Sequence, residues 1–512
     1  MNNRIRILST SDLHGFIYPY SYADGKPMMH GVARIKTMID KLRDENTILI
    51  DNGDTIEGSP LTFYHFLTKK DEICPISLVM KYLDYDYVNI GNHDFNYGVD
   101  ILNKHLETTN ATCITNNVYY PADEEGNKES MGVTYAIHEI AGKKLAIFGL
   151  VTHFVPKWEH PDHIKGLEFE ETFKAAKETL ELIKENENPD YIICVYHGGF
   201  ERDPETGDTK ETITGENQGY QMLEELEGID VLIAGHQHRV YCGTLNGTAY
   251  TEPGFNGQYL SCIDIDLDTN TITPSLLPVE DEADEEILSL VQDEEDECQK
   301  WLDKTLGISE VELKINDEYD ARLNKSQLLT FLNLVQLDAS GADISAAALF
   351  LRATGFDKEI TMRNLVSTYP FPNTLVVKRV TGKVLKEYLE KDMEFWEVKD
   401  NELIINPLMD FPNPQHHNYD MLDGIEYEAK ISNPVGERIV SLTRNGVEIK
   451  DEDEFNLVIN NYRASGGGDY SMLKEAPTVK EIQTTMVDIL ANYIMKTKNI
   501  DFEALHNIKI GI

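Results

Sequence analysis

Basic residues are scarce in this chain. Against 89 Asp and Glu stand only 46 Lys and Arg, a formal net charge of −43 with a pI near 4.6. A surface of that sign repels nucleic-acid polymers and anionic membranes, which excludes polymer recognition through a basic face. It does not exclude a small anionic substrate, because charges more than about 8 Å away are largely screened at physiological salt. Cysteine is sparse too. Cys74, Cys113, Cys194, Cys242, Cys262 and Cys298 form no CxxC pair and no zinc-ribbon spacing, so they read as small buried hydrophobes in a reducing compartment. No apolar run approaches the ~20 residues of a bilayer span, and no membrane partner is expected. Met1-Asn2-Asn3-Arg4 runs straight into an apolar strand without a leader-like core. The chain as given reads as cytoplasmic, or as secreted if a leader has been removed, and as a monomer or weak dimer.

What is present is globular. With 512 residues, 41% hydrophobic and 26% charged, the chain predicts two or three domains with proper cores. Short apolar runs at 4–9, 47–51, 87–91, 144–151, 191–196 and 231–234 read as buried strands. Helical periodicity at 31–43, 75–83, 99–106 and 171–184 lies between them, which argues for a layered α/β domain over 1–277. Residues 278–305 are very acidic and read as an exposed linker helix between domains, or alternatively as a surface helix of the first domain. Residues 306–512 alternate helix and strand anew and read as a separate α+β domain: helices at 328–338 and 382–391, strands at 343–345, 374–380 and 455–460.

Five motifs follow apolar runs in order: Asp12-Leu13-His14, Gly53-Asp54, Gly91-Asn92-His93-Asp94, His197-Gly198-Gly199 and Gly235-His236-Gln237-His238. An x-spaced pair at a strand end presents two side chains on one face. Each motif alone is weak, since a lone His at a strand end is more often structural. All five in one order describe a metal cage. Imidazoles suit zinc, manganese or iron, and a carboxylate can bridge two ions. Two carboxylates against two divalent cations leave about +2, which suits a phosphate and an activated water.

This set resembles the calcineurin-like metallophosphoesterases over about residues 1–277, implying a four-layer α/β/β/α sandwich. The resemblance implies one metal on Asp12, His14, Asp54 and His238, and another on Asp54, Asn92, His197 and His236. His93 would act on the leaving group as acid or stabilise the transition state. Residues 306–512 resemble the C-terminal domain of secreted-type nucleotidases through Ser345-Ala346-Ala347-Ala348, Tyr369-Pro370-Phe371-Pro372-Asn373-Thr374, Tyr419–Gly424 and Asn461-Tyr462-Arg463-Ala464. That implies a nucleobase between Phe371 and Tyr462, with Asn373 and Asp469 contacting base or ribose. Two departures stand out. Asn96 occupies the position three after His93 where 5′-nucleotidases carry Asp; Asp94 substitutes only if it reaches. Residues 345–349 replace a Gly-Gly-Ile-Arg type segment whose Arg grips the terminal phosphate. Both sort the chain toward the 2′,3′-cyclic-nucleotide 2′-phosphodiesterase/3′-nucleotidases, and the expected substrate is a small nucleotide. A 5′-nucleotidase or UDP-sugar hydrolase is the alternative, and a non-catalytic nucleotide-binding protein a third reading.

Overall fold

The computed structural model describes residues 3–122, 128–209, 213–369, 371, 373–410, 414–482 and 484–512. They form two compact units, Met1–Cys298 and Gln299–Ile512. Among them no helix is long and apolar enough to cross a membrane.

The first unit is built on two six-stranded sheets. In one, the parallel strands Arg4–Thr10, Thr47–Asp51, Tyr87–Val88 and Thr112–Cys113 are extended by the antiparallel strands Tyr259–Asp266 and Thr271–Pro278. In the other, the parallel strands Lys143–Val151, Tyr191–His197, Val231–Ile233 and Thr248–Pro253 are flanked by the antiparallel Ala136–Ile140 and Val240–Leu245. Side-chain alternation decides which residues meet. Ile5, Ile7, Ile48, Ile50 and Ile263 join Ile147, Ile193, Val195 and Ile233 in one core cluster. The other face of the second sheet, with Phe148, Leu150, Cys194, Tyr196 and Leu232, packs on Ala175, Ala176, Leu180 and Ile183 of helix Thr172–Asn186. On the first sheet Leu8 and Leu49 turn the opposite way and are fully buried, and helices Val32–Leu42 and Pro75–Leu83 each bury an apolar stripe. The result is the expected α/β/β/α layering.

The acidic stretch differs from an exposed linker helix. It forms two helices, Glu285–Leu290 and Gln292–Leu302, the first capped by the Asp284 side chain. Ile287, Val291 and Cys298 are buried. Its acids meet donors of the first unit: Tyr22 OH donates to Glu295 Oε2 at 2.8 Å, and His65 Nδ1 lies 2.7 Å from Glu294 Oε1. Tyr20 also donates to Glu295. Composition shows the acids, but not the tyrosines waiting for them, and the compact unit runs on to Cys298 rather than stopping at 277.

The second unit is α+β. Its five-stranded sheet runs Asp420–Asp423, Ile344–Ala348, Glu454–Asn460, Leu375–Thr381, Thr478–Ile482, and helix Gln327–Ser340, whose Leu328, Leu329, Phe331, Leu332 and Val335 are buried, lies on the strand Ile344–Ala348. Two ion pairs are sealed inside it. Lys325 binds Asp423, with side-chain exposures of 1% and 2%, and Arg463 Nε bonds Asp420 Oδ2 at 2.5 Å. Burial pushes the Asp423 carboxyl up and the Lys325 amine down, and each partner opposes the other's shift. A buried charge whose partner is deleted is uncompensated, which costs about 3–5 kcal/mol, whereas replacing both partners by apolar groups costs much less. Lys325→Met should therefore lower the urea-unfolding midpoint of the second unit strongly, and Lys325→Met with Asp423→Leu should recover most of the loss.

Candidate metal centre

The parallel strands of both sheets deliver their C-terminal ends to one region, where open α/β sheets form sites. Asp12 and His14 follow Arg4–Thr10, Asp54 follows Thr47–Asp51, Asn92 follows Tyr87–Val88, His197 closes Tyr191–His197, and His236 and His238 follow Val231–Ile233. The turns are tight. Asp12, His14, Asp54, His236 and His238 all have φ between 50° and 71°. A left-handed backbone is uncommon for such residues and costs on the order of 1 kcal/mol or more each, and strain of this kind gathers at functional sites. Two glycines make the crowding possible. A Cβ on Gly53 (φ 88°) would lie 2.2 Å from Gly91 N, and one on Gly91 would lie 2.2 Å from Asp54 Oδ1.

The side chains gather into two groups, Asp12, His14 and His238, and Asp54, His197 and His236, the ligand atoms within each lying within 4.8 Å of one another. Asn92 Oδ1 adjoins the second, 2.7 Å from His236 Nδ1 and 3.2 Å from His197 Nε2. The grouping differs from the expected ligand sets only in placing Asp54 with the second group alone.

The hydrogen bonds behind these rings show what belongs in front of them. His14 Nδ1 donates to the Glu57 carbonyl at 3.0 Å, and His197 Nδ1 to the Asn52 carbonyl at 2.7 Å. His236 Nε2 lies 3.0 Å from Glu216 Oε1. Each bond leaves a lone pair on the opposite ring nitrogen. Those lone pairs face His238 Nε2 at 3.0 Å, Asp54 Oδ2 at 3.2 Å and Asn92 Oδ1 at 2.7 Å. Asp54 Oδ2 is buried and accepts no aligned hydrogen bond. The His197 and His236 lone pairs are set against oxygen acceptors and repel them unless a cation or proton stands between, and His14 meets a second imidazole nitrogen, so the donor set fits divalent metals. A proton is the competitor. Burial lowers His197, but Asp54 outweighs it and holds the ring up at about 10; burial, reinforced by His238, takes His14 down to about 4.

The three residues expected around the leaving group separate. His93 sits beside the cage, its ring 5.6 Å from that of His14, and its backbone N–H donates to Asp54 Oδ1 at 2.7 Å. Burial lowers its pKa, but Asp54 and Glu57 raise it to about 9; cations held by Asp54 would cancel much of that field. Asn96 reaches His93, Oδ1 to Nδ1, at 2.8 Å. Asp94 does not belong with them. Its carboxylate accepts from the backbone N–H groups of Asp54, Thr55, Ile56 and Gly91 at 2.8–3.1 Å. It is a brace for two cage loops, because four amides occupy its acceptor capacity. Three acids escape sequence reasoning. Glu57 Oε2 stands 3.5 Å from His93 Nδ1, Glu159 bonds Asn96, and Glu216 backs His236. Glu57 follows Asp54 by three residues, a spacing that could raise suspicion; Glu159 and Glu216 lie in remote loops that carry no signal.

In the second unit, Phe371 is 44% exposed and its ring lies 5.2 Å from Phe350, which in turn meets Tyr369 at 4.8 Å. Asn373 hydrogen-bonds the Tyr369 side chain. Pro370 and Pro372, which flank Phe371 in the motif, lie outside the described residues. Tyr462 sits on the short helix Asn461–Ala464, capped by Asn460, with its ring 6.0 Å from His417. Asp469 is exposed at φ 67° where the glycine run ends. The arginines near the apolar segment 345–349 are mostly engaged. Arg322 is buried on Glu318 and the Leu349 carbonyl, and Arg363 pairs with Asp303; Arg352 is exposed.

Comparison with known proteins agrees with this geometry. Residues 5–240 match the calcineurin-like phosphoesterase model, and residues 306–475 match the 5′-nucleotidase C-terminal domain. The chain is 25% identical to the trifunctional nucleotide phosphoesterase YfkN of Bacillus subtilis, over 99% of its own length but only 39% of that protein's. It is 26% identical to the 2′,3′-cyclic-nucleotide 2′-phosphodiesterase/3′-nucleotidase of Salmonella typhimurium, over 90% of this chain and 81% of that one. A Staphylococcus aureus structure designated a 5′-nucleotidase, solved with α-ketoglutarate, superposes with a TM-score of 0.91 at 31% identity, covering 99% of this chain and all of its own. The chain belongs to the calcineurin-like metallophosphoesterases that carry a 5′-nucleotidase C-terminal domain.

Proposed function

We propose that the protein hydrolyses 2′,3′-cyclic nucleotides and 3′-nucleotides. The observation that carries this is the strand Ile344–Ala348, buried and apolar but for Ser345, in the segment where a 5′-nucleotidase offers a phosphate-gripping arginine. A cyclic phosphodiester carries one negative charge and a phosphomonoester approaches two near neutral pH, so the diester needs less cationic help. The likeness to the Salmonella enzyme points the same way.

Asp12, His14, His238, Asp54, His197, His236 and Asn92 would hold the metals. When bound, two divalent ions there supply Lewis-acid activation of a water and stabilise charge on the phosphoryl oxygens. The carbonyls of Glu57 and Asn52 and the Glu216 carboxylate keep the imidazoles turned lone pair inward. His93 faces the leaving oxygen and gives it a proton. Phe371 and Tyr462 hold the base, with Asn373 and Asp469 on base or ribose. The substrates are free nucleotides rather than polymers, as the net charge of −43 favours.

The 5′-nucleotidase reading rests on the full-length likeness to the Staphylococcus structure and on 5′-nucleotidase relatives such as that of Vibrio vulnificus, 22% identical over 97% of this chain. Substrate profiles of the manganese-loaded protein decide between them. Turnover of 2′,3′-cyclic AMP and 3′-AMP should exceed that of 5′-AMP, and dominant turnover of 5′-AMP would overturn the assignment. Exhaustive chelation should abolish activity and manganese restore it. Asp54→Asn should bind less metal by elemental analysis and lose several kcal/mol of transition-state stabilisation, about a thousandfold or more. A stacked base contributes about 1–3 kcal/mol. Tyr462→Ala should therefore raise KM for 3′-AMP about five- to 150-fold, yet leave KM for the base-free p-nitrophenyl phosphate within about twofold.

A further inference from the structure

Asn96 is a neutral amide where a carboxylate would secure the imidazole, and its two faces are nearly isosteric. One of them must face His93 Nδ1, and the choice decides what His93 can do. With the carbonyl toward the ring, Nδ1 keeps its hydrogen, and Nε2 can carry a second proton. With the NH2 toward the ring, Nδ1 must accept, and the doubly protonated ring meets donor against donor.

We propose that Glu159 is a positioning residue for His93, acting by locking the amide of Asn96. Asn96 Nδ2 donates to Glu159 Oε2 at 2.5 Å, while Asn96 Oδ1 takes the His93 Nδ1 hydrogen at 2.8 Å. The Glu159 side chain is 7% exposed. Its other oxygen, Oε1, is already taken: it accepts from His160 N at 2.7 Å and lies 2.7 Å from His163 Nδ1. The carboxylate is therefore held at one end by the loop 159–163 and presents only an acceptor to Asn96. A flipped Asn96 would set carbonyl against carboxylate in a largely buried site, forfeiting both bonds. Glu57 does not fill this role, because its Oε2 is 3.5 Å from Nδ1, beyond a good hydrogen bond.

This rests on His93 facing the leaving group, as proposed above. In that step the P–O bond breaks with its electron pair passing to the departing oxygen. The proton on Nε2 moves to that oxygen, and Nδ1 keeps its hydrogen on Asn96. The incoming water forms the new P–O bond and releases a proton to solvent, from which His93 Nε2 is reprotonated after the product alcohol leaves.

Three variants test the lock. In Glu159→Gln the amide oxygen is kept at His160 and His163, so the new NH2 is turned on Asn96 and drives the flip. In Asn96→Asp two carboxylates confront each other. In the double variant, the amide introduced at 159 donates to the carboxylate introduced at 96. That carboxylate in turn accepts from His93, which keeps the bond to the ring and reverses only the bond between 96 and 159. Phenyl phosphate and p-nitrophenyl phosphate report on the lock, because the poorer leaving group depends more on the proton. Neither carries a base, so a wrong nucleotide assignment leaves this test intact. With manganese present, kcat for phenyl phosphate should fall tenfold or more in Glu159→Gln and in Asn96→Asp, with KM within about twofold and a several-fold smaller loss on p-nitrophenyl phosphate. The double variant should recover most of the loss. Equal losses on both substrates, no loss, or a double variant no better than the singles would overturn the proposal.

Discussion

The first unit depends on a repulsion. Lone pairs of His14, His197 and His236 are aimed at His238, Asp54 and Asn92 by hydrogen bonds on the far side of each ring. A proton or a cation placed between these groups relieves that opposition. The fold is arranged to keep it: parallel strands of two sheets end at one place, turns with φ near 50–71° swing the ligands inward, and the lack of side chains lets Gly53 and Gly91 approach to contact distance. Asp94 staples the Asp54 and Gly91 loops through four amides. Strain in five left-handed residues and lone-pair repulsion are both offset when divalent ions bind, and displaced protons make that binding pH-dependent.

The second unit uses buried charge in a different way. Arg463 is 1% exposed, and its guanidinium bonds Asp420, the carbonyls of His417 and Gly467, and Asn418, while lying 3.9 Å from the Tyr470 ring centre. The loops that carry Tyr462 and His417 hang on this one cation. Beside it, burial and the neighbouring Asp420 push the Asp392 carboxyl well up, while Asp392 Oδ1 accepts from the Tyr470 hydroxyl at 2.6 Å and from the Asp420 N–H. The aromatic loop of Tyr462 thus has a rigid floor, while Phe371 is 44% exposed.

The parts of this architecture that sequence reveals are those written in short spacing. The runs at 47–51 and 75–83 match the strand Thr47–Asp51 and the helix Pro75–Leu83 residue for residue, because each is a compact apolar block bounded by Asp, Pro or Gly. The run 87–91 shortens to Tyr87–Val88, since the chain must leave the sheet early to turn Asn92 inward. The antiparallel strands Val240–Leu245, Tyr259–Asp266 and Thr271–Pro278 and the strand Thr248–Pro253 escape such a reading; they mix Thr, Tyr, Pro and Asp, and their pairing lies in long-range register rather than local pattern. The seven cage residues are visible because each closes or follows a strand. Glu159 and Glu216 are not, since an acid in an irregular loop looks like any other among 89.

Those unseen acids alter the charge arithmetic of the cage. Counting Asp12 and Asp54 against two divalent ions leaves about +2 for substrate and water. Glu57 lies beside His93 and Glu216 beside His236, and both subtract from that surplus. Burial, aided by Asp54, Glu159 and Asp94, pushes Glu57 up to about 7 against the pull of His93, so near neutral pH it carries only part of its charge. The net field at the phosphate is then weaker than the ligand set alone implies. A dianionic monoester loses more from that weakening than a monoanionic diester, roughly in proportion to charge. Such a weakening would favour the singly charged phosphate of the proposed substrate from inside the metal-binding unit itself, separately from the apolar strand Ile344–Ala348 of the other unit.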